Sequence, residues 1–115
     1  MPGKGMSDET VIIRRTPTSF AYLFCVTGVR RGEHAALDAA GTTIGRGRES
    51  DVLLDDETVS EEQARIRKEG DAWFLYDLAS TNTTHVDGKP IFRHQLADKD
   101  RLTLGETGFV FRVIA

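Results

Sequence analysis

Thr43-Ile44-Gly45-Arg46, Val59-Ser60-Glu61-Glu62-Gln63-Ala64-Arg65-Ile66 and Ser80-Thr81-Asn82-Thr83-Thr84 decide how this chain is read. The first puts a Gly-Arg pair at the end of a hydrophobic run. The other two are polar loops carrying arginine, hydroxyls or an amide, and strand-like segments separate all three. A β scaffold that brought these loops to one end would offer a donor-rich edge to an anionic group.

The flanking residues supply such a scaffold. Phe20, Tyr22, Phe24 and Val26 alternate with Ala21, Leu23, Cys25 and Thr27. Aromatic and β-branched residues at period two mean strand, and two apolar faces predict a strand covered on both sides. His34 to Leu37 reads as a short strand. Ala35 to Ala40 has helix propensity, but a run of about six residues is too short for an isolated helix. Val52-Leu53-Leu54, Ala64 to Lys68, Ala72 to Leu78, Lys89 to Phe92, Arg101 to Leu104 and Gly108 to Ile114 continue the series, with tight turns at Gly70-Asp71 and Asp87-Gly88. Many short strands, turn signals every ~8–12 residues and no long helical pattern predict an all-β sandwich or barrel.

A chain of 115 residues is one domain. Residues 1–18 are polar, hold two of the three prolines and read as a flexible tail. Residues 1–5 read as a cloning remnant ahead of a second start at Met6, or as a disordered end; the folded domain is expected over 19–115. Asp8-Glu9-Thr10-Val11-Ile12-Ile13 reads either as a short strand or as a kinase-accessible threonine with acids before it. A hydrophobic share of 39% with 29% charged residues fits a soluble protein. A net charge of −3 gives no basic field to attract nucleic acid or membrane. No run approaches the ~18 apolar residues of a membrane span. One cysteine, Cys25, excludes an internal disulfide and a Cys-based zinc site; on its apolar strand it reads as a small core residue. His34, His85 and His94 have no metal-type spacing, and no nucleophile–base pairing or phosphate loop is present. A non-enzyme without cofactor or metal follows, in a reducing compartment: the cytoplasm, or the cytoplasmic part of a larger protein.

Gly45-Arg46, Ser50-Asp51-Val52-Leu53-Leu54, Val59-Ser60 with Ala64-Arg65-Ile66, Leu75 to Gly88 and Leu96 to Gly105, in this order and at these spacings, resemble the forkhead-associated (FHA) domain. The resemblance spans roughly 20–115 and is densest from Thr42 to Gly105. It implies a β-sandwich of about eleven strands that binds phosphothreonine peptides through loops at one end. It implies that Arg46 and Ser60 hold the phosphate, Asn82 the peptide main chain and Thr81 the threonine methyl. Thr58 would face the third residue after the phosphothreonine, and Arg48 is the expected auxiliary cation. Chemically, a guanidinium fork matches two phosphate oxygens, a hydroxyl donates to a third, and an amide both donates and accepts. The bland alternatives are a surface arginine, a turn serine and a loop asparagine.

The chain departs from the family pattern at three places. Gln63 stands where a buried scaffold histidine is usual, and its amide can replace those hydrogen bonds. Glu61 and Glu62 stand where basic or amide residues are common, within a stretch, Glu49 to Glu62, that holds seven acids and no base. Thr83 stands where glycine is usual; β-branched residues avoid positive φ, so a different local backbone is expected there. Gly45, Gln63 and Thr83 are thus scaffold positions, and Glu61 sits at the ligand edge. The expected partner is a phosphothreonine protein made by a Ser/Thr kinase, with phosphorylated Thr10 as an intramolecular candidate. The alternative is an assembly module of the same fold that does not read phosphate.

Overall fold

Period-two alternation resolves into two packed sheets. The computed structural model describes residues 20–114. Within them eleven strands form: β1 (Phe20–Thr27), β2 (His34–Ala36), β3 (Thr42–Gly45), β4 (Val52–Leu53), β5 (Ala64–Glu69), β6 (Ala72–Asp77), β7 (Thr84–Val86), β8 (Lys89–Ile91), β9 (Arg93–Leu96), β10 (Arg101–Leu104) and β11 (Thr107–Ile114). One sheet runs β9-β6-β5-β3-β4 and the other β2-β1-β11-β10-β7-β8. Pairing is antiparallel except between β3 and β4, where Ile44 lies opposite Val52. The expected eleven-stranded sandwich is the observed one.

The inner faces make the core. Leu23, Phe111, Leu102 and Leu104 from one sheet meet Ile44, Ile66, Leu75 and Trp73 from the other, all buried. Trp73 and Phe111 bridge the sheets, with ring centroids 6.5 Å apart and tilted by 60°, a favourable edge-on arrangement. Cys25 is buried among them, as expected of a small core residue. The Asp87-Gly88 turn joins β7 to β8 with both residues at positive φ, 49° and 82°, the mirror-image turn that matches strand twist.

One expectation is corrected. β1 is not covered on both faces: Phe24 is 40% and Val26 41% exposed, while Ala21, Leu23 and Cys25 are buried. Alternation shows which faces are apolar, but β1 has a second sheet on one side only. As expected of so short a run, Ala35 to Ala40 forms no helix, and the short strand predicted from His34 is observed. Ala35 and Ala36 pair with β1, and the next residues turn, with Asp38 accepting from the Ala40 amide. The Asp8 to Ile13 patch, Thr10 and the tail at 1–18 lie outside the described residues.

Candidate functional site

Two backbone segments lie side by side where β3 ends. Arg46 N–H donates to the Ser60 carbonyl (2.9 Å), Gly47 N–H to the Glu61 carbonyl (3.0 Å) and Leu54 N–H to the Gly45 carbonyl (2.8 Å). The approach is so close that a Cβ on Gly45 would fall 2.1 Å from the Glu61 carbonyl oxygen. Only glycine fits, because the obstacle is backbone and cannot rotate away. Gly45→Ala is therefore expected to lower stability by about 2 kcal/mol, within the usual overpacking cost, and to separate Arg46 from Ser60. A urea unfolding midpoint unchanged from wild type would contradict this.

The clamp aims the side chains. Arg46 Nε donates to the Val59 carbonyl at 3.0 Å. That bond fixes the guanidinium plane and leaves both Nη groups without a partner among the described residues, on an exposed side chain. Ser60 Oγ accepts from Thr81 N–H at 2.9 Å, so its own proton remains available to donate. Asn82 Nδ2 donates to the Thr58 carbonyl at 2.9 Å, which ties the β6–β7 loop to the loop before β5 while its Oδ1 stays uncommitted. Thr81 and Asn82 are both exposed. The structure thus brings Arg46, Ser60, Thr81 and Asn82 together as one donor-rich edge.

Buried and half-buried polar groups hold that edge from beneath. Gln63 is fully buried. Its Oε1 accepts from Ser60 N–H (2.9 Å), and its Nε2 donates to Thr84 Oγ1 (3.0 Å) and the Thr83 carbonyl (3.3 Å). Asp77 accepts from the Ser80 amide and hydroxyl and from the Thr84 hydroxyl. Asp56 accepts from the Thr58 amide and hydroxyl and from the Thr107 hydroxyl. Burial raises its pKa, but these bonds outweigh burial and hold the carboxyl below the ordinary aspartate value. Asp56 and Asp77 are supports the sequence reading missed. The signals were a hydroxyl two residues after Asp56 and three after Asp77, the pattern of local side-chain-to-backbone turns.

Thr58 is tied into this support. Its hydroxyl donates to Asp56 and accepts from Glu106 N–H at 2.9 Å, and its carbonyl receives Asn82. It braces the edge, with its hydroxyl proton committed to Asp56 and one acceptor position to the Glu106 amide. Thr83 also differs from expectation: it keeps the left-handed backbone, at φ 65°. The Gln63 bond to its carbonyl overrides the β-branched preference. Left-handed strain costs about 1–2 kcal/mol, and glycine adds about 0.5–1 kcal/mol of unfolded-state entropy. Thr83→Gly is therefore expected to stabilise the fold by about 0.5–1 kcal/mol, read as a rise in melting temperature; a fall would show that the threonine side chain contributes packing.

The seven acids sort by position. Asp51 accepts from the Thr43 amide and hydroxyl, which lower its pKa, and Asp56 is the brace just described. Asp55 and Glu57 are exposed. Glu49, Glu61 and Glu62 line a groove of about 560 Å³ beside the edge, with Arg48, Arg65 and Leu78. Arg46 and Ser60 are not part of its lining. Among the described residues no His, Cys, Asp and Glu group is arranged to hold a metal ion, and no helix is long and apolar enough to cross a membrane.

Comparison with known proteins follows this geometry. The FHA domain family model matches residues 42–105. The glycogen accumulation regulator GarA of Mycolicibacterium smegmatis is 36% identical over 95 residues, 83% of this chain and 60% of that protein. The oxoglutarate dehydrogenase inhibitor of Corynebacterium jeikeium is 35% identical over 83% of this chain and 66% of that protein. The chain thus spans about 60% to 66% of the length of these two relatives. A solved structure from work on phosphothreonine-dependent FHA domain interactions is 34% identical with a TM-score of 0.75, covering 81% of this chain and 95% of that one. An FHA domain from an Arabidopsis thaliana hypothetical protein is 25% identical with a TM-score of 0.80, covering 85% of this chain and 88% of that one.

Proposed function

The chain belongs to the forkhead-associated (FHA) family, and on that premise we propose that its loop edge is a phosphothreonine reader, a non-catalytic module that docks a phosphorylated partner. The observation that carries this is the pairing of Arg46, held by its Nε so that both Nη groups are free, with Ser60, held by its acceptor side so that its proton is free. A phosphate of about −1.5 to −2 charges needs a fork and a further donor, and that is what remains uncommitted. Asn82 Oδ1 would accept from the peptide main chain, and Thr81 would line the threonine methyl. Arg48 is the auxiliary cation. Because supporting side chains already hold the loops, binding requires little rearrangement.

GarA is named as a regulator of glycogen accumulation and the corynebacterial protein as an oxoglutarate dehydrogenase inhibitor. We extend to this chain only the general role of acting on another protein by binding it, in the cytoplasm, downstream of a Ser/Thr kinase. Phosphorylated Thr10 would be an intramolecular competitor for the same edge, tested by kinase treatment followed by peptide competition.

Titration with one peptide in phosphothreonine and threonine forms tests the reading. Equal binding of the two overturns it and favours a phosphate-independent assembly module. The groove adds a preference: Glu49, Glu61 and Glu62 favour a lysine or arginine beside the phosphothreonine. Such a peptide is expected to bind about 3- to 10-fold tighter than one with glutamate there, by charge complementarity. Glu61→Lys with Glu62→Lys should erase or reverse that order, and an unchanged order would remove the groove from recognition.

A further inference from the structure

Arginine and aromatic side chains share the outer face of the five-stranded sheet. Arg65, Tyr76 and Arg93 form one cross-strand row over β5, β6 and β9, and Arg67, Phe74 and Gln95 form the next. The Arg93 guanidinium lies 4.1 Å from the Phe74 ring centroid and 5.8 Å from that of Tyr76, and Arg67 lies 5.6 Å from that of Tyr76. Three of these groups converge on one carboxylate. Glu69 accepts from Arg67 Nε at 2.8 Å and from the Tyr76 hydroxyl, with Arg93 Nη2 3.5 Å away. The face therefore displays, on its own glutamate, the kind of group it holds. At its loop end stands Phe92, 85% exposed, whose carbonyl accepts from Asp77 N–H at 2.9 Å.

We propose that this face, together with Phe92, docks a second segment of the phosphorylated partner, one that sets carboxylates beside aliphatic residues. The proposal rests on the phosphothreonine reading of the loop edge. The charge argument is local. Arg65, Arg67 and Arg93 face one acid on the sheet itself, Glu69. Asp51, on the Thr43 hydroxyl, and Asp38, on the Ala40 amide, border Arg65, and Asp71 stands in the β5–β6 turn. The positive excess around β5, β6 and β9 thus suits one or two carboxylates and not a polyanion such as nucleic acid. Donors remain for them: among the described residues, both Nη groups of Arg67 and Nη1 of Arg93 hold no hydrogen-bond partner. Arginine and aromatic residues are also those that interface cores enrich. The face is continuous with the groove beside the loop edge, because Arg65 and Leu78 line that groove and Leu78 directly follows β6. Phe74 lies ~13 Å back along the strand from Leu78, so an extended bound chain reaches it about four residues beyond the groove. The partner segment would carry basic residues beside its phosphothreonine and acidic ones further on.

The test uses the full chain and one phosphothreonine peptide with lysine beside the phosphothreonine. An extension of about eight residues that alternates glutamate and leucine is added at either end. From one end it is expected to bind about fivefold tighter than the same extension with glutamine for glutamate, although the net charge of −3 opposes it. Arg67→Ala with Arg93→Ala should remove that advantage and leave the unextended peptide unchanged. Glu69→Gln, which frees both guanidiniums, should raise it about twofold. Should the arginine variant fail to fold, Phe92→Ser, outside the strands, still decides by lowering the advantage about twofold. Equal affinity of the glutamate and glutamine extensions for wild type overturns the proposal. Failure of the loop-edge reading shows separately, as equal binding of phosphothreonine and threonine forms. In that event the Nε–H signals of Arg67 and Arg93 decide: the unphosphorylated glutamate extension should shift them, and no shift overturns the proposal. An equal shift by a single-stranded oligonucleotide overturns it in favour of nucleic acid.

Discussion

Arg46→Ala is expected to weaken binding of a phosphothreonine peptide about 100-fold while leaving the sandwich folded. Hydrogen bonds to charged groups contribute about 1.5–3 kcal/mol, and each 1.4 kcal/mol is tenfold in affinity. A fork that meets the phosphate with two Nη groups sits near the upper end of that range. The truncation also removes the Arg46 Nε bond to the Val59 carbonyl, but that bond belongs to an exposed side chain, so the stability cost stays below about 1 kcal/mol. Arg46→Lys separates charge from geometry. It keeps the cation, loses the fork and the Val59 anchor, and should fall about tenfold. The loss should be confined to the phosphorylated peptide, and the wild-type advantage should shrink with salt. If Arg46→Ala binds both peptide forms as wild type does, the guanidinium does not meet a phosphate and the loop edge must be read differently.

The sandwich was legible in the sequence because turns and alternation act locally. Gly70-Asp71, Asp87-Gly88 and the period-two runs each fix a strand or hairpin without help from distant residues. The joining of three loops was legible only through the family resemblance, since Arg46, Ser60 and Asn82 meet across gaps that spacing does not encode. What stayed hidden was direction and cover. Thr58 occupies a loop position that could face a ligand, and its hydroxyl also binds Asp56 and the amide of Glu106, 48 residues away. Asp51 and Asp56 counted as part of an acidic rim, although hydrogen-bond donors occupy their carboxylates. Thr83 looked incompatible with a left-handed turn because propensity weighs about 1–2 kcal/mol, and a buried amide from another loop outweighs it. The open face of β1 has the same cause: alternation records apolarity but not what lies on it.

Gln63→Leu is expected to destabilise the fold by about 3 kcal/mol and to lower peptide affinity with it. Leucine nearly matches the volume, so packing changes little; the loss is polar. Ser60 N–H and the Thr83 carbonyl each lose the side-chain partner that Gln63 supplies, at about 1–3 kcal/mol per stranded group. Thr84 Oγ1 suffers less, because it still donates to Asp77 at 2.7 Å. Against a total stability of about 5–15 kcal/mol, 3 kcal/mol is visible in a urea midpoint and in faster hydrogen exchange at the Thr81 amide, which depends on Ser60 staying in place. Gln63→His, with one ring nitrogen accepting and the other donating, should lose only about 1 kcal/mol. Gln63→Glu should be worse than Gln63→His, since a buried carboxylate accepts from Ser60 N–H but cannot donate to the Thr83 carbonyl. Thr83→Gly supplies the coupling test. Once Gln63 no longer holds the left-handed turn, Thr83 can relax out of it, so glycine should be worth less in the Gln63→Leu background than in wild type, and a double-mutant cycle reads the difference. Strict additivity would mean that Gln63 does not hold Thr83 in place, and that the two loops are joined by backbone contacts alone.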